Sequence, residues 1–397
     1  MKTFPKILFV HDFRPDARAV PGLFRQIFLG YPADKINWWH CRRTPLYDQP
    51  DVRAASVHGF RMPEKLVPHA RLTGVKSSIL ESLWVPLAAR HLERTIARVS
   101  PDMVVASLFG WSVPVLASVR WQAGQQRHFS LWDFADANGM RRTLGDARSR
   151  RFMAAVFDLL RQSTSFDGIS PAVLKEIQSQ TGRADGLLIH SGFEPNNLQA
   201  LENTSSDSVP DDVLRIAYVG TIISEAGFIK LLSALDRTRL ALSQKVVLEF
   251  FGGRNYSRSS WFNPDWMVEH PMFTDEGLIE ALRRCDWGLV VMDPEGTDLQ
   301  YSRFSFPNKV GTYVSAGVPV LGYGHPSSSL VQLMQDQQVG RFTSATDAFQ
   351  LEKFMLASLQ LPRSRQTFRN VILRSAQTEF NAAAMRSRLW RLWGVTV

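Results

Sequence analysis

The sequence predicts an α/β protein made of two doubly wound, parallel-sheet halves. Short apolar runs of parallel-strand type alternate with helical stretches along the chain, and the alternation halts once, at a polar segment near the middle, before it restarts. Length agrees: 397 residues exceed one ordinary core and suit two domains of roughly 150–200 residues each.

In the first half, "KILFV" (6–10), "DMVVASLF" (102–109), "HFSLWDF" (128–134) and "GLLIHSGF" (186–193) read as buried strands. Helical patterning covers 79–99 and 148–162 between them. "ENTSSDSVPDD" (202–212) collects Ser, Asp, Asn and Pro without apolar periodicity and reads as a linker. Domains are therefore expected at 1–201 and 213–375. After the linker, "LRIAYVG" (214–220), "KVVLEFFGG" (245–253) and "WGLVVMD" (287–293) are strands, with helices at 229–242 and 277–286. The last segment, 376–397, is expected to be a single helix over 376–394 that packs back on the N-terminal domain, with Phe380, Met385, Leu389 and Trp393 spread along it.

Composition excludes several classes. A hydrophobic share of 45% against 21% charged is that of a globular chain, and no apolar run approaches the ~20 residues that span a bilayer. The N-terminus carries an apolar run of five and no small-residue cleavage site, which suits a first strand better than a signal peptide. Cys41 and Cys285 lie far apart without metal-ligand spacing, so a reduced, cytoplasmic setting is expected and no metal site. The net charge of +9 is unevenly placed: residues 1–200 hold 26 Lys+Arg against 17 Asp+Glu, and residues 201–397 hold 20 against 20. The first half should therefore face something anionic. No helix-turn-helix pattern, zinc spacing or RNP-like strand points to nucleic acid.

The stretch "SFPNKVGTYVSAGVPVLGYG" (305–324) reads as a turn, a short helix carrying Lys309 and Tyr313, a stop at Gly317 and an apolar strand. A helix N-terminus with a cation in its first turn is a place to hold phosphate; a solvated helix lysine is the plain alternative. Ligands of open α/β sheets bind beyond the carboxyl ends of the strands. That rule puts Gly220, Thr221, Gly253, Arg254 and the loop 293–309 on one rim.

These segments, in this order, resemble the GT-B glycosyltransferases, and glycosyltransferase family 4 in particular. "IAYVGTI" is similar to the family's strand-to-glycine turn, and "HPMFTDEGLIEALRRCDWGLVVMD" to its base-binding loop, helix and strand. "FPNKVGTYVSAGVPVLGYG" resembles a Pro-x-Lys-x-x-x-Tyr-x-x-x-Gly-x-Pro-Val signature of some members, and "DGISPAVLKEIQSQTGRADGLLIHSGFEP" a segment that precedes the linker. The resemblance implies two Rossmann-like domains facing each other across a cleft. It implies transfer of a sugar from a nucleotide diphosphate sugar to a glycan, lipid-linked or other hydroxyl acceptor, with retention and without a bridging metal or other cofactor. Consistent with the last point, the chain contains no Asp-x-Asp. Donor-binding positions implied are Gly220, Thr221, Gly253, Arg254, Phe273, Arg303, Ser305, Asn308, Lys309 and Thr312. Asp133 is the implied catalytic carboxylate, with turn former as its alternative. Arg14, Arg18 and Gly22, in the loop after the first strand, are the implied acceptor contacts.

The chain also departs from the family. The Arg and Lys that most members carry after the glycine turn fall near Thr221 and Ala226, and the two paired Glu fall at Phe304 and Thr312. Glu225 and Lys230 are close enough in sequence to compensate. Trp132 stands where the family often has His. These losses keep open a non-catalytic binding protein of the same fold; an epimerase would need a carboxylate pair that the sequence does not reveal. Finally, Arg90, Arg94 and Arg98 share one helix face, following Leu80, Leu83, Trp84 and Leu87. This reads either as a helix for an anionic membrane surface at the inner face of the cytoplasmic membrane or as a solvated basic face interrupted by Pro86.

Overall fold

A computed structural model describes residues 3–15, 22–42, 52–66, 73–132, 145–194, 212–361 and 364–396. The chain divides into two compact units, Met1–His190 with Ala384–Val397, and Ser191–Ala383. The division falls after His190, ahead of the segment read as the linker, which lies outside the described residues except for Asp212.

The first unit is built on seven strands: β1 Ile7–His11, β2 Ile36–His40, β3 Ser56–Gly59, β4 Met103–Ser107, β5 Gln126–Leu131, β6 Ser165–Gly168 and β7 Leu187–Leu188. They lie in the order β3-β2-β1-β4-β5-β6-β7, every pairing parallel. β1 and β4 are buried at all five positions, as the helices of a doubly wound sheet require. β2 ("INWWH") carries Asn37 into the interior, where its amide donates to the Ile7 carbonyl at 3.3 Å and its oxygen accepts from Ser56. That partnership offsets the cost of burying a polar side chain; no sequence pattern announced the strand.

The C-terminal segment is two helices rather than one, Ser364–Gln377 and Ala382–Leu392. The chain turns between them, with the Phe380 amide bonded to the Ser375 carbonyl and Asn381 bridging to Phe193. Residues 384–397 complete the first unit's core. Trp390 packs edge-on against Phe4 and Tyr31 and donates its indole N–H to the Ile27 carbonyl at 2.8 Å, while Trp393 meets Phe28 and Tyr31. A backbone bridge between Thr3 and Thr396 closes the arrangement.

The second unit repeats the plan with six strands: β8 Val213–Val219, β9 Lys245–Phe251, β10 Met267–Glu269, β11 Trp287–Met292, β12 Val320–Gly324 and β13 Gly340–Thr343. Their order is β10-β9-β8-β11-β12-β13, again all parallel. In both sheets the order reverses beside the unit's first strand, at β1/β4 and β8/β11. Such a reversal opens a crevice at the carboxyl ends of the two strands.

Because Trp393 is 1% exposed and filled with aromatic contacts, Trp393→Ala should destabilise the first unit by roughly 3–5 kcal/mol. A urea titration followed by fluorescence checks this; an unchanged midpoint would remove the C-terminal helix from that core.

Candidate functional site

At the second unit's reversal, β8 and β11 pair only at Ile216/Trp287 and Ala217/Gly288. Past that point the buried Tyr313 hydroxyl stands in for the missing ladder. It accepts from the Val219 amide at 2.9 Å and lies 3.0 Å from the Ala217 carbonyl and 3.2 Å from the Leu289 carbonyl. Its ring lies so close over Gly288 that a Cβ there would sit 2.3 Å from ring carbon. Tyr313 belongs to the helix Asn308–Ser315. One turn earlier on the same face, four residues back, is Lys309.

Lys309 reaches the end of β8. Its Nζ donates to the Tyr218 hydroxyl at 2.8 Å and to the Thr221 carbonyl at 2.6 Å, and lies 4.1 Å from the centre of the Tyr218 ring. Gly220 starts the turn in the left-handed region, φ 72°. The Gly220 amide donates to the Phe251 carbonyl at the end of β9 at 2.8 Å, a Cβ on Gly252 would fall 3.3 Å from the Gly220 backbone, and Arg254 follows, exposed. Burial and the charge of Arg254 push the Lys309 ammonium down to about 7. Among the described residues neither cation has a carboxylate partner. The helix that supplies Lys309 has no acidic residue in its first turn either. This corner therefore concentrates positive potential that the protein itself leaves uncompensated.

Met272 and Phe273 project beside it, 77% and 37% exposed. Their loop is fixed by His270, which stacks on Phe251 at 4.7 Å and bonds Glu249 at 2.7 Å, while Glu249 also accepts from Arg215. An apolar, exposed pair next to two cations is suited to a flat ring carrying an anionic tail.

The first unit's reversal is organised differently. Asp12, fully buried at the end of β1, accepts from the Ser112 amide at 2.7 Å and the Trp111 amide at 3.1 Å, both just after β4. Cys41 Sγ–H donates to it at 3.3 Å and Arg42 lies at 3.5 Å, both just after β2. Its own carbonyl accepts from the Cys41 and Arg42 amides. Gly110 permits this, since a Cβ there would fall 2.1 Å from the carboxylate. Around this clamp stand Phe13, Phe109 and Trp111, with the Arg42 guanidinium over the Phe13 ring. Burial raises the Asp12 carboxyl and holds His11, stacked on Phe109, down at about 3. A second buried carboxylate, Asp167 on β6, gathers His128, Ser130 and the Trp132 indole.

No protein-family model matches the chain, and no curated protein matches it in sequence. Solved structures do match it in three dimensions. HepE from Anabaena, determined with UDP and glucose, is 14% identical, with 98% of each chain covered and a TM-score of 0.64. Sucrose-phosphate synthase from Thermosynechococcus elongatus is 14% identical over 98% of each chain, TM-score 0.65. An α,α-trehalose-phosphate synthase from Burkholderia xenovorans, determined with glucose-6-phosphate, is 11% identical over 98% of this chain and all of that one, TM-score 0.62. The chain has the GT-B fold.

On this GT-B framework the residues expected to bind a donor separate into two sets. Gly220, Thr221, Gly253, Arg254, Phe273 and Lys309 belong to the adjoining ends of β8, β9 and β10 and the helix Asn308–Ser315. The others have different employment. Arg303 lies over the Phe304 ring at 5.1 Å, the Ser305 carbonyl accepts from Ser329, and Thr312 turns back to the Asn308 carbonyl at 3.5 Å. The Asn308 amide, expected to be open to an anion, bonds the Phe306 carbonyl. Lys230 is held by Glu295 at 2.7 Å, and Glu225 accepts from Trp261, so neither replaces a missing family residue. In the first unit, Asp133 and Arg18 lie outside the described residues, Arg14 is partly buried beyond Asp12, and Gly22 opens a helix, Gly22–Phe28. Asp12, Asp167 and Tyr256 were missed by sequence reasoning; a lone acidic residue ending the first apolar run is the one signal that could have found Asp12. Among the described residues no cluster of His, Cys, Asp or Glu is placed to hold a metal ion.

Asp12→Ala would leave two buried backbone N–H groups without acceptors, at about 1–3 kcal/mol each. A loss of roughly 2–5 kcal/mol in a denaturant melt is expected, and a loss well under 1 kcal/mol would mean that water replaces the carboxylate.

Proposed function

We propose that the protein is a glycosyltransferase that moves a sugar from a nucleotide diphosphate sugar to a hydroxyl acceptor, with retention and without a bridging metal. One observation carries the reading: Lys309 and Arg254 stand together, without a carboxylate partner among the described residues, near the β8/β11 reversal of a GT-B chain. HepE, with the same fold, was determined with UDP and with UDP-glucose. In the reaction the bond from the sugar's anomeric carbon to phosphate oxygen breaks, the bond to the acceptor oxygen forms on the same face, and the acceptor proton passes to the departing phosphate. Negative charge grows on the diphosphate, where Lys309 and Arg254 lower its energy. Met272 and Phe273 supply an apolar seat for the nucleobase. Stripping one such cation typically costs about 10²–10³ in rate.

We place the reaction at an anionic membrane surface. The helical run 73–99 exposes Val75, Ile79, Leu83 and Leu87 at 57%, 36%, 64% and 51%, followed by exposed Arg90 and Arg94. Leu80 and Trp84 turn into the core instead, because a π-helical turn, Leu80–Trp84, shifts the phase of the helix just ahead of Pro86. Among the described residues no helix is long and apolar enough to cross a membrane, so attachment would be by this face. Leu83→Asp with Leu87→Asp should abolish sedimentation with vesicles containing phosphatidylglycerol, and unchanged sedimentation would remove the membrane from the proposal.

The donor site is tested by thermal shift with UDP, GDP, ADP, CMP and dTDP. A nucleotide at 100 times its Kd adds about 2.7 kcal/mol of stability, which wild type should show and Lys309→Ala should lose. If none of the five stabilises wild type, and no sugar nucleotide is hydrolysed, a binding protein of the same fold becomes the better reading.

Binding should also depend on pH. With its ammonium held at about 7 in the free protein, Lys309 is charged below that pH and neutral above it. A diphosphate beside it favours the charged form, so binding above pH 7 takes up a proton and affinity falls by up to about tenfold per pH unit. Calorimetry in buffers of different ionisation enthalpy measures that uptake; Lys309→Ala should bring it close to zero.

A further inference from the structure

We infer that Tyr256 is a positioning residue that makes the turn 220–222 receptive to a diphosphate, a role that rests on the donor site proposed above. The turn has two carbonyls at the mouth of the site, and bare carbonyl oxygens would repel phosphate. Both are covered. The Tyr256 hydroxyl donates to the Gly220 carbonyl at 2.9 Å and in the same position accepts from the Ile222 amide at 2.9 Å. The Thr221 carbonyl accepts from Lys309 at 2.6 Å and from the Tyr218 hydroxyl at 3.2 Å. The Gly220 amide is spent on Phe251. What the turn still offers is the amide of Thr221, an exposed residue next to Lys309.

The hydroxyl is aimed by structure on all sides. Tyr256 begins a 3₁₀ turn, Tyr256–Arg258, whose Tyr256 and Ser257 amides donate to the Glu269 carboxylate at 2.7 and 2.9 Å. Its ring packs on Phe250 and Trp261 at 5.3 and 5.9 Å. The loops after β8 and β9 are thereby joined through one phenol. Thr221 occupies a place where the resembling family carries a cation, so carbonyl masking takes over part of a task that a side-chain charge performs elsewhere.

Tyr256→Phe keeps the ring and removes only the hydroxyl. Isothermal calorimetry would use the first of UDP, GDP, ADP and dTDP that binds wild type, together with its monophosphate and its nucleoside. The variant should bind the diphosphate about tenfold more weakly, the worth of one hydrogen bond, and the nucleoside nearly as well as wild type. Equal weakening of nucleoside and diphosphate would overturn the inference, since a merely structural role would give that result. Unchanged diphosphate affinity would overturn it too, with the donor site left standing. Should none of the four bind wild type, the donor reading falls and this inference falls with it.

Discussion

The second unit depends on the Tyr313 hydroxyl. Two parallel strands that diverge after two residue pairs leave backbone groups facing each other across a gap too wide to bridge directly. Those groups are buried, and each would cost about 1–3 kcal/mol if left unmade. One phenol oxygen meets the groups of Ala217, Val219 and Leu289 together. Gly288 is the complementary condition, because any side chain there would displace the ring. The helix carrying Tyr313 is thus locked to the strands at a fixed depth and rotation. Lys309, one turn earlier, has no choice but to arrive at the Gly220 turn. The Lys-x-x-x-Tyr spacing is therefore mechanical: the tyrosine anchors, the lysine reaches.

Once the lysine is delivered there, its surroundings set its chemistry. Desolvation and a neighbouring guanidinium both favour the neutral amine, and no carboxylate among the described residues relieves them. A protein that needed only stability at this corner would gain by pairing the ammonium, as it does for Lys230 with Glu295 and Arg215 with Glu249. Keeping the Lys309 ammonium charged there, desolvated and beside a guanidinium, is costly without an anionic partner. At the same corner the Thr221 and Gly220 carbonyls are covered by protein donors.

What could be read from the sequence was whatever had a local period or a local spacing. The strands of continuous apolar residues, β1, β4, β8, β9 and β11, were legible because burial on both faces writes itself into consecutive positions. β2 and β3 were not, since Asn37, His40 and His58 interrupt the pattern; Asn37 is satisfied by Ile7 and Ser56, distant in the chain, while His40 and His58 bond residues two positions away. The break in the C-terminal helix at 378–381 was illegible for the opposite reason: "TEFN" carries no Gly or Pro, and the turn is imposed by Phe193 through tertiary bonds. At the site, Lys309, Gly220 and Arg254 were readable from order and resemblance. Tyr256 was not, because its function resides in a hydroxyl aimed across 36 residues at Gly220.

The first unit solves the same topological problem with different chemistry. Where β8 and β11 are joined by a neutral phenol beside cations, the ends of β1, β2 and β4 are drawn together on the buried carboxylate of Asp12. A buried carboxyl beside one guanidinium lies at the centre of one reversal, and Lys309 and Arg254 lie beside the other. Around Asp12 stand aromatic rings and the Arg42 guanidinium. Two copies of one architecture are thereby differentiated by the group that closes each sheet, a carboxyl in one and a phenol in the other.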